Sequence, residues 1–513
     1  MHVGDIIRHH AVNLPGQMAL VAGSERLTYQ ALNGRINRVA DALLRRGIRR
    51  GDRVAAAGRN SVHYFCLYFA TAKIGALLVP MSFWYRADEY RYVLDNSEPA
   101  LLVHEAEFAR ALAEANATLQ VPTLEMPAFD EPVRAGSDWA LFMEGTSEEE
   151  PDIQPEADWA HMILYTSGTT GRPKGAVLSH GRTVQDGFNI ALALRVRQGD
   201  IFINFFPPFH VGNWDQQKMF LVAGATVVLV PQFDAGRVLS LVESERVSVI
   251  LGVPTMLHAL LNHPNLTTTD VSSVRLVYYG AYDPSRILDR IADHFGAREG
   301  RIEMMHHFGL TEGGPFVACC PAERVFEKWG SIGRGIPGVE VALIDDDGAR
   351  VPAGQPGELI VKGPMMTEYW RNPAATAETI KNGWLHTGDI AVADSEGFMW
   401  IVDRKKDMIR SGGHNVYSKE VEDCMASHPA VADVGVIGLD DPVFEEMVCA
   451  VVVLRQGHAA SDELASELTA HVRSRKAGYN APKKVFFANE LPKNAVGKIM
   501  KHILRERYKQ SDS

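Results

Sequence analysis

The sequence predicts an α/β protein: a large N-terminal domain of several subdomains with layered α/β sheets, followed by a small, mobile α+β C-terminal domain. Three observations predict it. The chain has 513 residues, more than one hydrophobic core holds, since cores stop growing near ~250–300 residues. Short apolar strands alternate with amphipathic helices, the pattern of layered sheets with parallel pairing. Near residues 401–407 the chain enters the charged run Asp403-Arg404-Lys405-Lys406-Asp407, and the residues beyond it carry nearly balanced charge although the whole chain carries −11. The domains are therefore expected at 1–403 and 407–513, with a hinge at 404–406.

Each element has a local reason. Thr28 is placed to cap a helix over 29–46, with Leu32, Ile36, Val39, Ala40 and Leu43 on one face and Gly47 as the stop. Arg53-Val54-Ala55-Ala56-Ala57 follows as a strand, and the pattern recurs at 76–80, 101–103, 226–230 and 247–251. The apolar stretch 65–81 is interrupted by Lys73 and Pro80, so it reads as a buried helix entering a strand and not as a bilayer span. Residues 131–158 are acidic and carry Pro132, Pro151 and Pro155, which reads as a surface connection between two subdomains.

Composition excludes several classes. Hydrophobic content of 46% and charged content of 22% are those of a globular protein. With 52 basic against 63 acidic residues, the chain lacks the basic balance that nucleic-acid binding calls for. Five scattered cysteines, never spaced C-x-x-C, argue against a disulfide framework or a zinc site and for a reducing compartment. The start, Met1-His2-Val3-Gly4-Asp5, has no signal-peptide pattern. A cytoplasmic protein with no integral membrane segment is expected.

The most informative segment is Tyr165-Thr166-Ser167-Gly168-Thr169-Thr170-Gly171-Arg172-Pro173-Lys174-Gly175, set between the apolar runs Met162-Ile163-Leu164 and Ala176-Val177-Leu178. Its glycines let backbone N–H groups converge, its hydroxyls add neutral donors, and Lys174 adds a point charge. That combination suits a polyphosphate, although the G-x-x-x-x-G-K-[ST] spacing is absent.

This segment resembles the signature loop of the adenylate-forming superfamily, which includes acyl-CoA synthetases, luciferases and adenylation domains. Further motifs follow in the family's order: Phe206-Pro207-Pro208-Phe209-His210-Val211-Gly212, Phe308-Gly309-Leu310-Thr311-Glu312, Trp384-Leu385-His386-Thr387-Gly388-Asp389, the hinge motif from Asp403 to Ile409, and Pro492-Lys493-Asn494-Ala495-Val496-Gly497-Lys498. The resemblance implies an N-terminal AMP-binding domain, a C-terminal domain rotating about Lys406, and ATP-dependent ligation of a small-molecule carboxylic acid to coenzyme A through an acyl-AMP. By the same resemblance Thr166, Ser167, Gly168, Thr169, Thr170 and Lys174 hold the β- and γ-phosphates. Thr311 contacts the α-phosphate, Glu312 holds Mg²⁺, and Asp389 with Arg404 binds the ribose. Gly280, Ala281, Phe308 and Gly309 complete the ATP site, and Lys498 bridges the attacking carboxylate and the α-phosphate. His210 stands at the mouth of an acyl pocket lined by Gly212, Trp214, Gln216, Tyr282 and Asp283, and swings to open the thiol's path. The turn at Gly412 and Gly413 meets the pantetheine arm of coenzyme A. A homodimer is allowed for.

Two departures matter. Phe308 replaces the family's tyrosine, keeping a ring for adenine without its hydroxyl. Gly280-Ala281-Tyr282-Asp283-Pro284 replaces a small-residue run, so either Tyr282 and Asp283 shorten the acyl pocket and make it polar, or both face outward. A compact acid, aryl, alicyclic or of short-to-medium chain length, is preferred over a long fatty acid. Gly333-Arg334-Gly335-Ile336-Pro337-Gly338 spells G-x-G-x-x-G, but contains a proline and precedes a strand, so it is no dinucleotide fingerprint. Adjacent His306 and His307 lack partners at metal spacing and are read as structural. Transfer to a carrier protein, luciferase-type oxygenation and a non-catalytic nucleotide-binding regulator are the competing readings.

Overall fold

A computed structural model describes residues 1–166, 172–280, 287–493 and 499–509. Two large sheets build the first part of the chain. A seven-stranded sheet runs in the order Glu368–Tyr369, Lys174–Ser179, Ala160–Thr166, Leu77–Pro80, Arg53–Ala57, Leu101–His104, Thr123–Glu125. A nine-stranded sheet runs Arg334–Gly335, Gly314–Cys320, Glu303–Leu310, Leu276–Gly280, Val249–Gly252, Ile201–Asn204, Thr226–Leu229, Met18–Ala22, Glu25–Thr28. The interior pairs are mainly parallel, such as Leu276–Gly280 with Glu303–Leu310, and the hairpins at the edges are antiparallel.

One apolar core joins residues of both sheets with the helices between them. Helix Val62–Lys73 buries nearly every residue, and so does Val211–Val222. Neither shows a single apolar stripe, as expected of helices covered on all sides. Thr28 caps Tyr29–Arg45 by accepting the Ala31 N–H, as its position in the sequence predicts. Helix Val62–Lys73 does lead into strand Leu77–Pro80, and among the described residues no helix is long and apolar enough to cross a membrane.

The acidic segment 131–158 corrects an expectation. It leaves Thr123–Glu125 and returns at Ala160–Thr166, both in the seven-stranded sheet, so it does not link two subdomains. It straps across the polar side of helix Tyr29–Arg45 instead: Asn37 Nδ2 donates to the Glu148 carbonyl at 2.8 Å, Arg38 Nε to Thr146 Oγ1 at 3.1 Å, and the Ser147 N–H to Asp41 at 2.9 Å. A polar strap satisfies helix side chains that an apolar layer would leave unpaired.

A five-stranded sheet follows, containing Glu340–Ile344, Pro356–Lys362, Trp384–Ala393, Ile380–Lys381 and Met399–Arg404. It docks on the edge of the nine-stranded sheet, where Ile332 and Gly333 bond Met399. Beyond Arg404 a further five-stranded sheet, with His414–Val416, Ile409–Ser411, Glu445–Leu454, Val431–Asp441 and Lys484–Phe487, packs on helices Ser418–Ala426 and Asp462–Arg473 around its own core.

Candidate active site

Two hairpins from different sheets meet at one point. In the seven-stranded sheet Thr166 and Lys174 are register partners at the mouth of a hairpin. Ser167, Gly168, Thr169 and Thr170, between them, lie outside the described residues. In the nine-stranded sheet Thr311 and Glu312 form the tip joining Glu303–Leu310 to Gly314–Cys320. Gly309 fits that hairpin because any Cβ there would overlap the Pro315 carbonyl. Thr166 Oγ1 is 3.4 Å from Glu312 Oε1, and the Met366 N–H fixes the Glu312 carbonyl at 2.7 Å.

Tyr369 completes this corner, and sequence reasoning missed it. Its edge strand pairs with Lys174–Ser179, which carries its hydroxyl to 2.7 Å from Glu312 Oε1 and its ring to 5.2 Å from Lys174 Nζ. Burial, and then the Glu312 carboxylate, raises the phenol's pKa, so the hydroxyl stays a donor. Among the described residues no group of three His, Cys, Asp or Glu side chains clusters to hold a metal by itself. A lone carboxylate beside hydroxyls and a lysine fits a hard cation completed by phosphate oxygens, the usual arrangement for Mg²⁺.

Asp389 and Arg404 face each other as register partners in the five-stranded sheet, with Arg404 Nε 2.6 Å from Asp389 Oδ1. Thr387 Oγ1 accepts the Asp389 N–H at 3.0 Å and donates to the Leu359 carbonyl at 2.7 Å, and Gly388 takes φ +69°. The Thr-Gly-Asp motif is thus a bend that presents a carboxylate. Phe308 packs between the main core and the core of this sheet, which joins the two sets of residues.

His210 caps helix Val211–Val222, its Nδ1 accepting the Gly212 N–H at 2.9 Å. A side chain at Gly212 would crowd that imidazole. Gly212 and Gln216 lie one turn apart on the same face. Trp214 does not join them, and this revises the expectation that it lines the same cavity. Its ring stacks on Tyr68 at 4.2 Å and its Nε1 donates to the Pro208 carbonyl at 2.5 Å, so it belongs to the core. Gly280 ends its strand beside His307. Ala281, Tyr282, Asp283 and Lys498 lie outside the described residues.

At the junction of the two parts, Asp403 accepts from Ser418 Oγ at 2.7 Å, Ser418 accepts from Lys501 Nζ at 2.6 Å, and Arg505 pairs with Asp407 at 2.9 Å. Lys406 stands exposed between them. Gly412 and Gly413 take φ +59° and +78°, the two-residue turn that left-handed backbone permits, and Gly413 has nothing within 4 Å of where a Cβ would stand.

A hydroxyl-and-lysine hairpin facing a carboxylate, with a second carboxylate–arginine pair on an adjoining sheet, is an arrangement whose chemistry suits a nucleoside triphosphate. The chain belongs to the AMP-binding enzyme family: the family model matches residues 7–370, and the model of the AMP-binding enzyme C-terminal domain matches 420–498. It is an adenylate-forming enzyme. It is 37% identical over 499 residues to a feruloyl-CoA synthase of an Amycolatopsis species, covering 96% of each chain. It is 34% identical to the fatty acid–acyl-carrier-protein ligase ScoC of Streptomyces coeruleorubidus, covering 97% of this chain and 95% of that one. Its fold is similar to that of ATP-bound MatB from Rhodopseudomonas palustris, with a TM-score of 0.88, 30% identity and full coverage of both chains.

Proposed function

We propose that the chain is an ATP-dependent carboxylic acid–CoA ligase that works in two half-reactions at one site. In the first, a carboxylate oxygen attacks the α-phosphorus of ATP, the bond to the β-phosphate breaks, and acyl-AMP and pyrophosphate form. In the second, the thiol of coenzyme A gives up its proton and attacks the acyl carbon, and AMP leaves. The observation that carries this reading is the convergence of Thr166, Lys174 and Tyr369 on Glu312 where two sheets meet.

The roles follow the chemistry of the groups. Thr166, Lys174 and the segment 167–170 hold the β- and γ-phosphates, with Thr311 at the α-phosphate. Glu312 holds Mg²⁺, which when bound offsets the charge of the departing pyrophosphate. Asp389 accepts the ribose hydroxyls beside Arg404, Gly280, Ala281, Phe308 and Gly309 border the adenine, and Lys498 offsets charge on the attacking carboxylate. Lys498 and coenzyme A cannot approach one carbonyl together, so the domain at 407–513 turns about the hinge at 404–406 and presents Gly412 and Gly413 to pantetheine. His210 guards that path. The five cysteines form no disulfide, as a reducing compartment such as the cytoplasm favours. A homodimer completes the proposal and is read by light scattering.

A screen of pyrophosphate release over diverse carboxylic acids, with and without coenzyme A, tests the reading. Acid-dependent release that coenzyme A accelerates, with acyl-CoA as product, is expected. The likeness to a carrier-protein ligase favours one second reading, an acyl-AMP passed to a phosphopantetheinyl carrier. That reading requires release that coenzyme A leaves unchanged.

A further inference from the structure

The hairpin tip that carries Thr311 and Glu312 rests on two helices whose facing sides are charged. Helix His180–Ala193 continues directly from the strand Lys174–Ser179 and contributes Arg182 and Asp186, and helix Val211–Val222 contributes Asp215 and Lys218. The two members on each helix are about one turn apart and share a face. Arg182 Nη1 donates to Asp215 Oδ2 at 2.6 Å, and Lys218 Nζ lies 2.8 Å from both Asp215 Oδ1 and Asp186 Oδ2. Groups of opposite sign therefore alternate in one buried chain, none of them more than 5% exposed.

Stability alone is a weak reason for such a quartet, because buried ion pairs often hold a fold together no better than apolar side chains of similar volume. Its contacts with the tip give a stronger one. A guanidinium is a rigid fork that serves two acceptors at once. One branch holds Asp215, and the other, Nη2, reaches the Thr311 carbonyl at 3.4 Å. One turn further along the same helix, Asp186 underlies the far end of the tip, where a Cβ at Gly314 would come within 3.0 Å of its Oδ1. Arg182 and Asp186 thus bracket residues 311–314, and Asp215 and Lys218 fix both from the helix that His210 caps. The strand leading into the first helix begins at Lys174, the register partner of Thr166. The quartet is consequently a joint between the hairpin bearing Thr166 and Lys174 and the tip bearing Thr311 and Glu312.

We propose that Arg182 is a positioning residue for nucleotide binding. Held by Asp215 and acting through the Thr311 carbonyl, it sets the Thr311–Glu312 tip at the separation from the Thr166–Lys174 hairpin that a triphosphate and its Mg²⁺ require. This rests on the nucleotide part of the ligase reading and adds to it a residue that touches neither substrate nor metal.

The test separates position from stability in the full chain. It reads the Kd for ATP with magnesium by calorimetry, the midpoint of urea denaturation, and pyrophosphate release. Arg182→Met with Asp215→Leu removes one charge of each sign and leaves the Lys218–Asp186 pair matched. This double variant is expected to keep a midpoint close to that of the wild type and to bind ATP at least tenfold more weakly. Arg182→Lys keeps the charge but replaces the fork by a single ammonium. It is expected to bind ATP at least threefold more weakly at an unchanged midpoint, and it decides the matter if the double variant does not fold. Lys73→Met breaks a different pair, with Glu150, whose lysine is equally buried. It is expected to lower the midpoint while ATP affinity stays within twofold of wild type. A folded double variant that binds ATP as tightly as the wild type overturns the proposal, as does a folded Arg182→Lys enzyme with unchanged affinity where the double variant does not fold. A Lys73→Met enzyme that loses as much ATP affinity as the Arg182 variants also overturns it, because lost stability would then explain both. A wild type that binds ATP but releases no pyrophosphate with any acid overturns the ligase reading alone, since the binding measurements still decide the role of Arg182. A wild type that binds no ATP overturns both.

Discussion

At the scale of single residues, the ribose and metal assignments make separable demands. Asp389 is 3% exposed, and Arg404 Nε holds its Oδ1 at 2.6 Å, which fixes the carboxylate in place. Asp389→Ala is expected to raise KM for ATP at least tenfold and to erase the preference for ATP over 2′-deoxy-ATP, measured by pyrophosphate release. Unchanged discrimination between those nucleotides would count against ribose binding. Glu312→Gln keeps the shape that receives the Tyr369 hydroxyl and removes the charge. The magnesium concentration at half-maximal rate should rise about tenfold or more, whereas an unchanged magnesium titration would remove Glu312 from the metal. Tyr369 itself was not legible, because the edge strand that carries it pairs across some two hundred residues of chain, and nothing local to Glu368-Tyr369 marks it. Glu312 and Asp389 were legible because each is the acidic end of a motif whose glycine or threonine forms the turn.

At the scale of elements, the hinge and the buried helices decide what the motifs can do. Lys406 is exposed between the strand carrying Arg404 and the strand Ile409–Ser411. Proline there fixes φ and removes a donor. Lys406→Pro is expected to leave acyl-AMP formation measurable and to suppress thioester formation from supplied acyl-AMP by tenfold or more. Equal slowing of both steps, or of neither, would contradict domain rotation. Beneath the Thr311 hairpin, Arg182 donates to Asp215 at 2.6 Å and its Nη2 lies 3.4 Å from the Thr311 carbonyl, while Lys218 pairs with Asp215 and Asp186. All four charges are buried. Arg182→Met leaves a carboxylate short of one partner, a loss on the order of 3–5 kcal/mol, visible as a clear drop in denaturation midpoint. An unfolding free energy within about 0.5 kcal/mol of wild type would show that the network contributes nothing. The helices that carry these groups were hard to read. Alternation of strands and the cap at Thr28 could be read because they are local, but a helix covered on every side has no polar face to set its orientation. That is why Trp214, two residues from Gly212, turned out to face the core.

At the scale of the whole molecule, stability and chemistry are both set by what the layers bury. His180 and His307 are held neutral by burial, with pKa values lowered to about 3, and His2 and His161 are shifted the same way. Unfolded histidine titrates near ~6.5. Below that pH the unfolded chain takes up protons that the folded chain refuses. The histidine contribution is therefore complete above about pH 6.5 and is lost as pH falls, at ~1.4 kcal/mol per group per pH unit. Glu105 acts the opposite way, because burial lifts its carboxyl to about 7 and its contribution shrinks as pH rises towards that value. Burial also raises Asp186 and Glu422 and lowers His10, His63, His294 and His471, so among the described residues eight lowered histidines stand against three raised carboxyls. Tm should therefore fall between pH 7 and pH 5, and a Tm that rises over that interval would contradict the assignment. The order of motifs along the chain made the family and the layered α/β class legible. The acid was not legible, because the residues that would bound it come together from separate strands and a helix. The central claim is that the acid is activated as an adenylate, and isotope transfer tests it most directly. With a turned-over acid labelled in both carboxylate oxygens with ¹⁸O, together with ATP, magnesium and coenzyme A, one ¹⁸O per turnover should appear in the phosphoryl group of AMP. Label in inorganic phosphate with ADP as the nucleotide product, or AMP without label, would contradict it.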